Sequence, residues 1–204
     1  MFKLFSKIIN LLKSYGVYGF IRLIYNLALS KLLYPKARIL RQPFYIRNEG
    51  ILDMDKGFSS NPGLNIDIYG RNSILKIGKD VIANYSLHIG VCHKVTIGDN
   101  VLIASNVFIS DHNHGKYAGS EQSSPLVIPN DRPLEVSPVC IGNNCWIGEH
   151  VSILPGVTIG SGVIIGAGAV VNTNIPDNVI AVGIPARIVK KFNFDTEEWE
   201  SVRK

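Results

Sequence analysis

The chain contains no uninterrupted run of 18 apolar residues, so no stretch of it reads as a helix that crosses a bilayer. Cysteine is scarce: Cys92, Cys140 and Cys145 include no Cys-x-x-Cys pair, and three thiols cannot pair fully within one chain, so a reducing compartment is expected. The N-terminal lysine and apolar residues are followed by no clear cleavage site. Acid is missing from the first 47 residues, which carry nine Lys/Arg: Lys3, Lys7, Lys13, Arg22, Lys31, Lys36, Arg38, Arg41 and Arg47. The net charge of +5 therefore joins a basic appendage to a body of 12 basic and 16 acidic residues. A chain of 204 residues can bury a real core as one main domain.

The basic segment reads as two helices. Phe2, Phe5, Ile9 and Leu12 recur at helical spacing, while Lys3, Lys7 and Lys13 fall within about a third of the helix circumference. Gly16 marks a break, and Tyr34-Pro35 ends the second helix, because a residue before proline avoids helical geometry. Two readings stand side by side. In one, residues 1–40 lie on a membrane surface, with lysines toward anionic lipid and Phe, Leu and Ile below. In the other, a helix pair packs on the body or on a neighbouring subunit. Nucleic acid is not expected, because no recognisable binding motif accompanies the basic residues.

A six-residue repeat dominates the rest. Ile141, Ile147, Ile153, Ile159, Ile165 and Val171 are all β-branched and six apart. The next residue is Gly142, Gly148, Leu154, Gly160, Gly166 or Asn172, and the fourth is Cys145, Val151, Val157, Val163, Ala169 or Ile175. An earlier array runs Ile77, Ala83, Ile89, slips by two, and continues Ile97, Ile103, Ile109, with Val81, Leu87, Val101 and Val107 among its partners. Period six fits neither a helix nor a simple hairpin. It fits a solenoid of short strands, three per coil, with β-branched residues inward and coils about 4.8 Å apart. The glycine after each inward residue is expected to permit the corner turn. Each coil covers only its neighbours, so the two arrays should stack into one prism.

The run "IGNNCWIGEHVSILPGVTIGSGVIIGAGAVVNTNIPDNVIAVGIPARIVKK" resembles the hexapeptide-repeat acyltransferases, and within them the bacterial O-acetyltransferases of lipopolysaccharide and O-antigen synthesis. The resemblance covers about residue 41 to the C-terminus. It implies an all-β main domain that is a left-handed parallel β-helix, with an N-terminal α-helical segment, an extruded loop and a short C-terminal helix. The expected division is 1–47 for the basic helical segment, 48–187 for the β-helix with the loop at about 112–138, and 188–204 for the C-terminal tail or helix. The resemblance further implies a homotrimer with sites between adjacent prisms, and acetyl-CoA as donor.

The rhythm breaks in "ISDHNHG", and nothing regular returns until Ile141. A gap that long inside a compact domain points to a functional loop. Acyl transfer to an alcohol needs a base for the hydroxyl proton, and histidine, with an ordinary pKa near 6.5, suits it. A nearby carboxylate can fix its tautomer, which makes Asp111 a candidate. Sugar-acetylating members of the family place their histidine seven residues beyond the valine that matches Val107, which is His114; the pattern Asp-x-x-His-Gly also fits Asp111, His114 and Gly115. His114 is therefore favoured over His112 as catalytic base. Three histidines, His88, His93 and His112, raise zinc hydration as a rival, but no metal is expected.

For the donor, the resemblance carries CoA contacts onto Glu149, Ala167, Asn172, Thr173, Arg187 and Lys190. The family often has lysine where Thr173 stands, and the galactoside-type enzymes have serine where Glu149 stands. Small residues 166–169 would leave a groove floor bare, and the Arg and Lys of "PARIVKK" would meet phosphates. On the acceptor side the family's asparagine matches Asn84, and Trp146 borders the site or is an ordinary exposed aromatic. The family's acidic acceptor contact falls on Cys92, which cannot accept as a carboxylate does. The expected function is a cytoplasmic, CoA-dependent O-acetyltransferase acting on a sugar hydroxyl of a cell-surface polysaccharide or its precursor. Docking at the inner membrane face is expected if the basic helices bind lipid. An antibiotic or other small-molecule acceptor is the alternative, followed by a zinc hydratase and a non-catalytic trimeric scaffold.

Overall fold

The computed structural model describes residues 2–202; the side chains of residues 2–5, and with them Phe2, Lys3 and Phe5 of the expected helical stripe, lie outside the description. From Ile39 to Val182 the chain winds into a parallel β-helix of three faces. Face A is built from Ile39–Leu40, Ser59–Ser60, Ile82–Ala83, Leu102–Ile103, Trp146–Ile147, Ile164–Ile165 and Val179–Val182. Face B is built from Phe44–Asn48, Leu64–Ile68, His88–Val91, Phe108–Ser110, Ser152–Ile153 and Val170–Val171. Face C is built from Ile51–Met54, Ile74–Ile77, Lys94–Ile97, Val139–Ile141 and Thr158–Ile159, with a last bridge from Ile159 to Ile175. The chain visits A, B and C in turn, so the seven parallel strands of face A mark about seven turns.

The core is the expected one. Ile141, Ile147, Ile153, Ile159, Ile165 and Val171 are buried, and so are Ile77, Ala83, Ile89, Ile97, Ile103 and Ile109 of the earlier array. Equivalent positions pair directly along the axis, as in Ile103 with Ile147 and Ile147 with Ile165. At roughly 2–3 kcal/mol for each fully buried branched side chain, this column is the main source of stability.

The glycines act differently from expectation. Gly142 and Gly148 do not adopt the left-handed conformation; a Cβ on either would sit 2.7 Å from the backbone carbon of Gly160 or 2.6 Å from the Ala167 nitrogen. Their role is the close stacking of one corner on the next. The left-handed residue falls two positions further on, at Asn100, Asn106, Asn144 and His150, where asparagine is better tolerated than most residues.

The helical segment spans Phe2–Leu33 (α1) and is kinked at Gly16, where φ is 65°. Its inner side is polar. The Ser30 hydroxyl accepts from the Leu40 N–H at 2.7 Å, and the Asn26 side-chain oxygen accepts from the Gln42 N–H at 3.1 Å. Both donors flank or belong to the first strand of face A, which has no further strand beyond it. The opposite side exposes Val17, Ile21, Ile24, Tyr25 and Leu32.

Two boundaries are corrected. The helix ends at Leu33 and the prism begins at Ile39, well ahead of residue 48, because the first coils are longer than 18 residues and show no six-residue phase. The C-terminal helix is instead a hairpin, Arg187–Asn193 with Glu198–Ser201, running antiparallel along Val179–Val182. Phe192 packs against Trp199 across it with ring centroids 5.2 Å apart, the kind of aromatic cross-strand pair that stabilises a ladder.

Gly148→Ala is expected to destabilise the protein by about 1–3 kcal/mol, because the new methyl meets backbone that cannot swing aside. Asn144→Gly should change stability by less than about 1 kcal/mol, since glycine takes the same left-handed conformation freely. Urea denaturation of the two variants checks both.

Candidate active site

The long insertion leaves the prism at the edge between faces B and C. It is not structureless. His112–His114 pairs antiparallel with Leu134–Val136, in the register His112 with Val136 and His114 with Leu134, and the Asp111 carbonyl accepts from the Ser137 N–H at 2.8 Å. The loop is thus stapled where it begins. Residues two apart on a strand share a side, so both imidazoles point the same way, with ring centroids 6.3 Å apart.

Asp111 is fully buried. One carboxylate oxygen accepts from the Cys92 N–H at 2.8 Å, the other from the His93 N–H at 2.8 Å and the Lys94 N–H at 2.7 Å. The first oxygen also lies 3.1 Å from His112 Nδ1. Burial by itself would push this carboxyl up; the bonds from His112 and the three backbone N–H groups outweigh it and hold the group below the ordinary carboxylate range. The carboxylate expected to orient an imidazole therefore orients His112. Its Nδ1 side is occupied by Asp111 and the Ser110 hydroxyl, while the Cε1–Nε2 edge lies over Gly90, where a Cβ would come within 3.2 Å of Cε1. The His114 ring is exposed, and its side chain has no hydrogen-bond partner among the described residues.

Both histidines open on a cleft of about 360 Å³ that also takes in Asp67, Tyr69, His88 and Phe108. Sequence reasoning did not select the first two of these and weighed His88 only as a zinc ligand. On face B, Arg47 donates to Asp67 at 2.9 Å, and the other Asp67 oxygen lies 3.5 Å from His88 Nε2. Arg47 also stands 4.4 Å above the Tyr69 ring. The cleft thus holds a carboxylate at Asp67, paired in register with Gly90 of the next coil. Its signal in the sequence was hidden, because the early coils are irregular in length and the six-residue phase does not reach residue 67.

The other expected site residues divide between two edges of the prism. Asn172 and Thr173 lie on the B–C edge with the histidines, and Thr173 shares a cavity of about 350 Å³ with Arg187. The Arg187 guanidinium uses one nitrogen on the Ala186 carbonyl at 2.8 Å and keeps the rest of its fork free among the described residues. This cavity, with its cationic wall, fits a phosphate-bearing donor. Asn84, Glu149 and Ala167 lie on the opposite edge, between faces A and B. Trp146 and Lys190 sit on the face A sheet, with Trp146 51% exposed between Leu102 and Ile164. One chain does not bring the two sets together.

Cys92, Asp111 and His112 present possible ligand atoms within 4.8 Å of one another. They fit a metal ion poorly. The Asp111 oxygens already take four hydrogen-bonding partners, and burial, reinforced by the Asp111 charge, pushes the Cys92 thiol up to about 11, so it is not a thiolate at neutral pH. The same shift removes Cys92 as a ready nucleophile.

Residues 141–173 match the family described as bacterial transferase hexapeptide (six repeats). The chain is 46% identical, over 95% of its own length and 98% of the relative's, to the putative lipopolysaccharide biosynthesis O-acetyl transferase WbbJ of Escherichia coli strain K12. Among solved structures it is similar to a galactoside acetyltransferase in complex with coenzyme A, at 35% identity and a TM-score of 0.57 over 76% of this chain and 72% of that one. It is also similar to a maltose O-acetyltransferase from Clostridium difficile 630, at 36% identity and a TM-score of 0.52 over 85% of this chain and 87% of that one.

Because the folded pKa of Asp111 is depressed, its stabilisation is fully present above the ordinary carboxylate value of about 3.9 and is lost as pH falls through the lower folded value. Asp111→Ala is expected to cost about 3 kcal/mol at pH 7. The gap to the parent should narrow in acid, below about pH 4. Denaturant titrations at successive pH values check this; a gap that stays constant in acid would mean that the ionised form contributes nothing.

Proposed function

The chain belongs to the hexapeptide-repeat bacterial transferases, and from that premise we propose that it transfers an acetyl group from acetyl-CoA to a sugar hydroxyl of a cell-surface polysaccharide or its precursor. The observation that carries this reading is the cleft itself: two imidazoles, the buried carboxylate of Asp111 and the partly buried carboxylate of Asp67 converge on one edge of a rigid prism that also carries a cationic cavity.

His114 is the general base. It stands at the spacing from Val107 that the galactoside-type enzymes use, and it keeps both ring nitrogens free of side-chain partners. Acetyl-CoA supplies the activated acyl group as a thioester. His114 accepts the acceptor's hydroxyl proton while that oxygen attacks the thioester carbonyl; as the carbon–sulfur bond breaks, the imidazolium returns the proton to the departing sulfur. His112, anchored by Asp111, lines the same cleft. Asp67, held by Arg47, accepts from acceptor hydroxyls in place of the acid missing at Cys92. Arg187, with Thr173 and Asn172, holds the phosphate-bearing part of the donor, and Lys190 lies further along the same strand. A second reading makes His112 the base, favoured by its contact with Asp111.

The enzyme works as a homotrimer. Three observations support this. The site residues occupy two edges of each prism, so a neighbouring copy would bring Asn84, Glu149 and Ala167 of one chain to the histidine edge of another. An outward ladder of Ile82, Leu102 and Trp146 on face A is apolar and uncovered. The loop raises Leu126, 92% exposed, beside Ile128, a pair suited to packing on another subunit. The protein acts in the cytoplasm at the inner membrane face, where the exposed apolar side of α1 and the acid-free basic segment dock on anionic lipid.

His114→Ala should lower kcat by about 10²–10⁴ and leave the affinity for acetyl-CoA unchanged, as read by product mass spectrometry with labelled acetyl-CoA. If His112→Ala gives that loss and His114→Ala does not, His112 is the base. For the membrane contact, Ile21→Glu with Ile24→Glu should release the full-length protein from anionic vesicles in flotation. Unchanged flotation would refute lipid docking through α1.

A further inference from the structure

Outside the catalytic cleft, the least explained feature is a cavity of about 350 Å³ between α1 and the first coils. Its lining residues include Arg22, Arg41, Asn26, Asn61, Tyr15 and Tyr85. No carboxylate lines it, and no acid occurs anywhere in residues 1–47. Neither arginine forms an ion pair among the described residues. Arg22 is exposed, and it donates to the Gln42 carbonyl at 2.7 Å, which holds its head beside the first coil. Asn26 is 3% exposed, and its side-chain oxygen accepts from the Gln42 N–H at 3.1 Å. The cavity therefore offers two positive charges with no ion-pair partner among the described residues.

Such a lining selects an anion with several acceptor oxygens. Two guanidinium groups in a space of this size suit two linked phosphoryl groups better than one. The position of the cavity adds a direction. Asn61 donates to the Asn84 side-chain oxygen at 3.0 Å, and Asn84 is the residue that the acetyltransferase reading sets against the acceptor sugar. We infer that this cavity binds the diphosphate group of a diphosphate-linked sugar, so that the acceptor is an activated glycosyl diphosphate anchored by Arg22 and Arg41 and presented past Asn84. The sugar's placement rests on the proposed function; the diphosphate site rests on the cavity alone. A nucleotide and a polyprenyl lipid both present this group to the protein.

Calorimetry of the full-length protein tests the site with inorganic pyrophosphate, uridine diphosphate and micellar geranyl diphosphate as probes. Pyrophosphate should bind saturably, and Arg22→Gln with Arg41→Gln should weaken it at least tenfold while acetyl-CoA affinity is retained. Arg41→Gln alone, which removes no side-chain hydrogen bond among the described residues, should weaken it measurably with an unchanged melting temperature. Tighter binding of uridine diphosphate than of pyrophosphate would support the site and identify a nucleotide-linked acceptor; tighter binding of geranyl diphosphate would support it and identify a lipid-linked one. The inference is overturned if pyrophosphate does not saturate the parent protein, if the double variant binds it equally well, or if the double variant loses acetyl-CoA to the same degree. Failure of acetyl-CoA to bind the parent, with pyrophosphate binding intact, would instead remove the acetyltransferase reading and leave the diphosphate site standing.

Discussion

Everything in this protein depends on the vertical stacking of β-branched residues inside the coil. A single turn of three short strands has no interior of its own; its inward side chains are removed from water only by the turns above and below. The column from Ile77 to Val171 supplies that burial with one side chain repeated at nearly one position. The consequence for function is rigidity of the outside. Once inward residues are fixed in register, every outward residue is fixed too, at a spacing set by the sheet rather than by its own contacts. The cleft is assembled in this way: Asp67, His88 and Phe108 belong to three successive turns of face B and meet without any of them lying near another in sequence.

The one long departure from the period is where the two histidines and the buried carboxylate of the cleft are concentrated. A loop of this length would ordinarily blur the position of the residues at its root. Here the antiparallel pairing of His112–His114 with Leu134–Val136 removes that freedom. The carboxylate of Asp111 ties the root to the preceding turn through the N–H groups of Cys92, His93 and Lys94. One buried ion thus organises a corner and an imidazole together. Its hydrogen bonds must outweigh the burial of its charge, as the lowered pKa of the carboxyl indicates.

What the sequence made legible follows the same logic. The core residues from 77 to 175 were readable because each one repeats a neighbour's environment, and periodicity reports environment. Gly142 and Gly148 were correctly noticed, but the reason assigned to them was wrong: the constraint is the backbone of the next turn, which a linear reading does not contain. The expected β-helix at 48–187 took in most of the first coils, but their varying lengths hid the repeat phase there, and with it Asp67 and Tyr69. The C-terminal hairpin was missed because Phe192 and Trp199 contact across a turn that the helical expectation did not include. Asp111 was readable as a candidate partner for an imidazole from its place beside two histidines; that it serves His112 depends on a backbone corner at Cys92–Lys94, one coil earlier.

The polar inner side of α1 has a consequence for the solution behaviour of the whole molecule. A parallel solenoid ends in open strand edges, and an open edge is a template on which another chain can continue the ladder. Ser30 and Asn26 occupy the donors at the first strand of face A. Proline and charge mark the neighbouring edges at Pro43, Arg47 and Asp53, the last paired with Lys36. The helix is therefore a stopper: with it in place, a fold built by endless repetition has a defined beginning and does not grow into a fibre.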